Sequence, residues 1–265
     1  MASRAQAFTL TKWYLDCTGD DGCTAIGYWA SLAWRGLSLT WQGLSVCEAG
    51  GGTIQRSTLT KDRMPARARD RIVWRSRALK CTLAADVRLP PIALRLFETT
   101  DGFVDWRCEA PAAMVMLEFA DRPPIRGVGY ADRLDLTIPP WQLPISELRW
   151  GRWTDQSAAH SVVWIDWGGA EPRTWVFVDG ARAADAAVED DRVSAGHSTL
   201  TLTASSTLSS RALDEILRGI PPLRAVVPSS LLSLRDTKWS SRGTLHHPGS
   251  APLDGRAIHE RVIVR

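Results

Sequence analysis

The run Gly127-Val-Gly-Tyr-Ala-Asp-Arg-Leu-Asp-Leu-Thr-Ile138 decides how the rest of the chain is read. On an extended strand Tyr130, Asp132, Leu134, Leu136 and Ile138 fall on one face, with Ala131, Arg133, Asp135 and Thr137 on the other. Val162-Val-Trp-Ile-Asp-Trp167 and Trp175-Val-Phe-Val178 repeat this alternation downstream, as do Leu37-Ser-Leu-Thr-Trp41 and Leu200-Thr-Leu-Thr203 elsewhere. Asp101-Gly102, after Leu94–Thr100, and Asp179-Gly180, after Trp175–Val178, are two-residue turn signals that join antiparallel neighbours. Strands linked as hairpins follow, and with them a meandering sheet.

One helix is expected, Ser210–Arg218, with serines to cap its start, Gly219 to end it and Pro221-Pro222 beyond. So little helix among so many strands disfavours the parallel βαβ architecture and favours a closed barrel or a sandwich. Pro123-Pro124 follows the apolar segment Ala112–Phe119, which suggests two halves, residues 1–122 and 123–265, with no convincing sequence repeat between them. Pro139-Pro140 and Pro144 place Trp141 on a loop or strand edge near a barrel mouth.

The 265 residues, 45% of them hydrophobic, suffice for one large domain or two packed ones. A formal charge of +3 implies no nucleic-acid partner, and the basic run Lys61–Arg77 lacks the aromatic ladder of a polyanion site and reads as surface. Five cysteines form no CxxC pair and are odd in number, as expected of reduced, mostly buried thiols. No signal peptide and no run of about 18 apolar residues is present, so a soluble cytoplasmic protein without a membrane span is expected. Thirteen tryptophans either stiffen a β core or wall a pocket for a large hydrophobic ligand.

Nucleophile-elbow, P-loop, HExxH and zinc-cysteine signatures are missing, and Gly127-Val-Gly129 lacks the third glycine of a dinucleotide fingerprint. His246-His247 with Asp254 and His259 are of metal-ligand type, but adjacent strand histidines point to opposite faces and such residues are usual in a loop near a terminus, so neither metal nor cofactor is expected. Asp132 sits on the apolar side of its strand, where a carboxyl must be ion-paired, hydrogen-bonded or held protonated as a general acid. Arg152, sharing a face with Trp150, is its expected cation, and a buried Asp132–Arg152 pair could equally be structural. His160, Val162, Trp164 and Asp166 share a strand face that supplies a titratable pair and an aromatic wall if it lines a cavity, or an ordinary polar surface if it meets water. Asp16, sharing a face with Tyr14, and Glu98, on a hairpin, are secondary candidates.

Gly127-Val-Gly-Tyr-Ala-Asp132, Pro140-Trp-Gln-Leu-Pro144, Leu148-Arg-Trp-Gly-Arg152 and Val163-Trp-Ile-Asp-Trp167 resemble the hydroxyneurosporene synthase (carotenoid 1,2-hydratase) and AttH-like group. The resemblance is strongest over residues 126–180 and extends to Trp13–Trp41. It implies an all-β fold of two lipocalin-like antiparallel barrel halves. It also implies an enzyme that isomerises, cyclises or hydrates a hydrophobic isoprenoid or polyene in a barrel cavity, by acid-initiated or pericyclic chemistry. In that reading Asp132 is the acid and Asp166 its competitor, Tyr130, Trp141, Trp150 and Trp164 form the wall with His160 beside them, and Arg152 tunes the acid or binds an anionic group. A lipocalin-like carrier of a lipid or pigment, with no catalysis, is the alternative.

Overall fold

Residues 8–212 and 234–264 are described by a computed structural model. The first ten strands are β1 (Thr9–Gly19), β2 (Thr24–Trp34), β3 (Leu37–Cys47), β4 (Thr53–Thr58), β5 (Ala66–Ala68), β6 (Arg71–Ser76), β7 (Cys81–Val87), β8 (Ile92–Thr99), β9 (Gly102–Phe119) and β10 (Ile125–Leu136). The remaining nine are β11 (Ile145–Asp155), β12 (Ser161–Gly169), β13 (Arg173–Val178), β14 (Ala181–Arg182), β15 (Ala186–Val188), β16 (Arg192–Ala195), β17 (Ser198–Ala212), β18 (Arg235–His246) and β19 (Leu253–Ile263). The only helical element among the described residues is the single 3-10 turn Pro140–Gln142, which carries Trp141. Of the expected helix, Ser210 to Ala212 belong to strand β17, where Thr203–Ala212 pairs with β18; the rest lies outside the described residues.

All pairings are antiparallel, and they form two sheets of one design. In the first the order is β4-β3-β2-β1-β10-β9-β7-β6-β5, with β8 on β9; in the second it is β14-β13-β12-β11-β19-β18-β17-β16-β15. Each sheet is a hairpin meander whose first strand also bonds its last, β1 to β10 and β11 to β19. The ladder is therefore interrupted at one seam per sheet, between β4 and β5 and between β14 and β15. This is a repeat of topology that residue identities do not reveal. By compactness the chain divides into Met1–Pro140 with Ser157–Ala159, and Trp141–Gln156 with His160–Arg265. The Pro123-Pro124 segment joins β9 to β10, both strands of the first sheet.

The turns follow from backbone chemistry. Asp179 and Gly180, at φ 51° and 85°, form the tight link between β13 and β14, the conformation for which Asp-Gly is suited. Arg35-Gly36 makes a like turn between β2 and β3, at φ 48° and 79°, although Arg gives no such sequence signal.

Each sheet encloses its own core. In the first unit Trp13, Leu15 and Cys17 of β1 meet Trp29, Leu44, Val46, Trp74, Leu83 and Ala131, so the two arms on either side of the seam share one interior. Asp62, in the link between β4 and β5, helps to close that seam: its Oδ2 accepts from Gln42 Nε2 at 3.3 Å, Ser76 Oγ at 3.2 Å and the Arg77 N–H at 3.0 Å. In the second unit Trp153, Val162, Trp164, Val176, Val193, Leu200, Leu202, Leu245 and Ala257 form the core. Trp153 is fully buried, and its indole N–H donates to the Gly243 carbonyl at 2.9 Å. Full burial of a large side chain contributes roughly 2–3 kcal/mol, so these indoles are principal stabilising groups.

Candidate functional site

Strand register, and not alternation alone, identifies which face of β10 fills the first core. Leu15 pairs with Ala131, and both belong to the core cluster, whereas Tyr14 pairs with Asp132 and Asp16 with Tyr130. Asp132 therefore lies on the face opposite the core, which corrects the expectation that its face is the barrel interior. It is nonetheless buried, at 8% exposure, and Tyr130 and Asp16 are fully buried beside it.

This second face has a polar centre within a band of rings. Tyr130 Oη donates to Asp132 Oδ2 at 2.9 Å, and Trp106 Nε1 on β9 donates to the same oxygen at 3.0 Å. Burial, and then the Asp132 carboxyl, hold the Tyr130 phenol well above its ordinary pKa, which keeps the phenol protonated and a donor. The same two causes raise the thiol of Cys108, which lies directly across from Asp132 in the β9–β10 register. Tyr14 meets Tyr130 edge-on at 6.1 Å and Tyr28 at 5.4 Å, and Tyr28 meets Trp41 at 6.0 Å. Gly43 makes this possible, because a Cβ there would lie 2.6 Å from the Trp41 ring. Chemically, this face brings together the carboxyls of Asp132 and Asp16, the Tyr130 and Trp106 donors on Asp132, and several π faces suited to a developing cation.

In the second unit the face of Val162 and Trp164 is the interior one, so the alternative in which it meets water does not hold. Trp164 borders a cavity of about 240 Å³, together with Trp239, Leu202, Ser205 and His259. Gly151, paired with both Trp164 and His259, leaves room for them: a Cβ at this position would lie 2.1 Å from the indole. His259 stacks on Trp239 at 5.2 Å, and its Nε2 lies 2.8 Å from Ser241 Oγ, which is 2.7 Å from Ser205 Oγ. Burial pushes the imidazole down to about 4, against a weak opposing pull from Asp190, so at neutral pH it is uncharged.

The other expected residues are dispersed. His160 precedes β12 and is 43% exposed, its Nδ1 3.0 Å from Asp179 Oδ2, and it does not border the cavity. It lies in the link before the strand, which begins only at Ser161. Asp166 is half-buried and accepts from Thr174 Oγ1 at 2.7 Å. Arg152 is fully buried in the second unit, donating to the Arg256 carbonyl at 3.0 Å, and Trp150 is buried on the same strand face. Glu98 is an exposed hairpin residue paired with Arg95 at 2.7 Å, as expected by default. Trp106, Cys108, Ser205, Ser241 and Trp239 carried no individual signal, and His259 drew attention only as a metal-ligand type. They acquire meaning only through pairing with strands distant in sequence.

No known family profile matches the chain, and no curated protein does. Solved structures do. CghA, crystallised with Sch210972, superposes with a TM-score of 0.56 at 11% identity, covering 97% of this chain and 89% of its own. A protein assigned as an AttH from Nitrosomonas europaea gives 0.57 at 11% identity, over 100% and 95% of the two chains. Kievitone hydratase from Nectria haematococca gives 0.57 at 9% identity, over 98% and 90%. At such identities the likeness is one of architecture, and this chain has the all-β, lipocalin-like fold of these structures.

Proposed function

We propose that the chain is an enzyme of the hydratase or cyclase type, acting by proton transfer on a hydrophobic isoprenoid or polyene, with Asp132 as the proton-exchanging group. The observation that carries this reading is the buried Asp132 carboxyl, which accepts from Tyr130 and Trp106 at one end of a row of rings that runs from Tyr130 through Tyr14 and Tyr28 to Trp41. In the forward direction the protonated carboxyl gives its proton to an alkene carbon, forming a C–H bond and a carbocation beside the rings. Water adds to the cation and returns a proton to the carboxylate, or an internal double bond adds and a proton is lost to the same base. Tyr130 and Trp106 hold the carboxyl oriented in both protonation states.

Kievitone hydratase, a hydratase by name, supports this class of reaction for the fold. Trp141, Trp150, Arg152, Trp164 and Asp166 belong to the second unit, and no part in the Asp132 step is assigned to them. A reducing, cytoplasmic setting fits five cysteines with no disulfide between them.

The test uses farnesol and lycopene, the latter in detergent micelles, incubated with the protein in D2O and analysed by mass spectrometry. The expected product carries one solvent deuterium on carbon, and D132N lowers its rate by roughly 10²–10⁴-fold. Y130F should retain activity at about a tenth, the effect of losing one hydrogen bond that orients the carboxyl. Wild-type turnover by D132N, or a product without carbon-bound deuterium, would sink the reading.

A further inference from the structure

The cavity within the second unit is independent of the Asp132 chemistry and has its own architecture. Roughly 150 Å³ suffices for benzene, so the observed volume of about 240 Å³ accommodates a two-ring molecule and not an extended polyene. Trp164 and Trp239 supply flat walls, and Leu202 and Val188 complete the apolar lining. Ser205 brings a hydroxyl to this lining, backed by Ser241 at 2.7 Å and then His259 at 2.8 Å. Hydroxyls rotate, and a neutral imidazole carries one donor and one acceptor, so this relay can give or take a hydrogen bond at its outer end.

The charged groups of the lining offer no surplus for an anion. Arg149 and Arg261 both bind Glu147, at 2.7 and 2.8 Å, and Arg149 also reaches the exposed Asp190 at 3.1 Å. Glu189 adds a further carboxylate to the same lining, and Glu260 is held by Lys238. The lining thus carries two guanidiniums, Arg149 and Arg261, against three carboxylates, Glu189, Asp190 and Glu260, which disfavours a carboxylate or phosphate ligand.

We infer that the second barrel binds a neutral, planar, two-ring molecule bearing one hydroxyl group, with its rings against Trp164 and Trp239 and its hydroxyl on Ser205. This does not depend on the role given to Asp132.

The probe is 2-naphthol, titrated into the full chain by calorimetry and by quenching of tryptophan fluorescence at pH 7. Saturable binding is expected, with naphthalene about fivefold weaker for want of one hydrogen bond and 2-naphthoate weaker than 2-naphthol. S205A should bring 2-naphthol down to the affinity of naphthalene while leaving naphthalene unchanged. L202W, which fills the cavity, should abolish binding of both, with circular dichroism confirming the fold. If L202W does not fold, the Ser205 comparison decides alone. Absence of saturable binding, equal affinities of S205A and wild type for 2-naphthol, or preference for 2-naphthoate would overturn the inference.

Discussion

Replacing His259 by glutamine removes the one histidine whose pKa the fold strongly depresses, and the effect on stability can be worked out. The imidazole moves from an ordinary 6.5 to about 4 because it is enclosed between Trp239 and Trp164. At roughly 1.4 kcal/mol per pH unit, this difference corresponds to about 3 kcal/mol. The sign follows from proton uptake: between pH 6.5 and 4 the unfolded chain binds a proton at His259 that the folded chain does not. Acidification through that window therefore removes stability from the wild type and leaves H259Q without this loss. Urea unfolding at several pH values from 7.5 to 4, followed by tryptophan fluorescence, should show the wild-type advantage over H259Q shrinking by about 3 kcal/mol towards pH 4. Asp190, Glu189, Glu260, Arg149 and Arg261 are the charged groups around the same cavity, and they are common to both proteins, so the difference isolates the imidazole. An NMR titration of His259 centred near 6.5, or a stability difference flat with pH, would refute the reasoning.

Two further outcomes test the fold. W153A should destabilise the second unit by roughly 3–5 kcal/mol, because a fully buried indole is lost and the Gly243 carbonyl loses its donor; denaturant unfolding monitored by circular dichroism measures it. D62A should cost about 1–2 kcal/mol by releasing Gln42, Ser76 and the Arg77 N–H at the first seam. Burial raises the Asp62 pKa, but those hydrogen bonds outweigh it and hold the carboxyl below its usual range, so its contribution is present at neutral pH and falls away on acidification through that lowered value. Wild-type and D62A unfolding midpoints that differ equally at pH 7 and pH 3 would contradict this account.

Much of the local structure was legible because it depends on neighbours in sequence. The alternation of Val162–Trp167 and Trp175–Val178 predicts β12 and β13, and Asp179-Gly180 predicts their continuation through a tight turn, since side-chain direction and positive φ are local properties. The serines at 209–210 suggested a helix start by capping chemistry, while strand pairing with β18 takes the chain as far as Ala212; residues 213–218 of the expected helix lie outside the described residues. Backbone hydrogen bonds to a neighbouring strand outcompete a side-chain cap, and that competition is invisible without the partner.

The sequence by itself determined an antiparallel β protein rich in buried indoles and drew attention to a carboxyl at position 132 on a face with apolar neighbours. Period-two alternation separates two faces but does not say which of them the barrel encloses. Closure of β1 on β10 decided that, turning Ala131 to the core and Asp132 to the opposite face, against Tyr130 and Trp106. Closure of β11 on β19 likewise brought His259 to Gly151 and Trp164, more than ninety positions away along the chain. Only register between distant strands places such groups together, because the cavity and its chemistry arise from non-local pairing, which single-strand patterns do not encode.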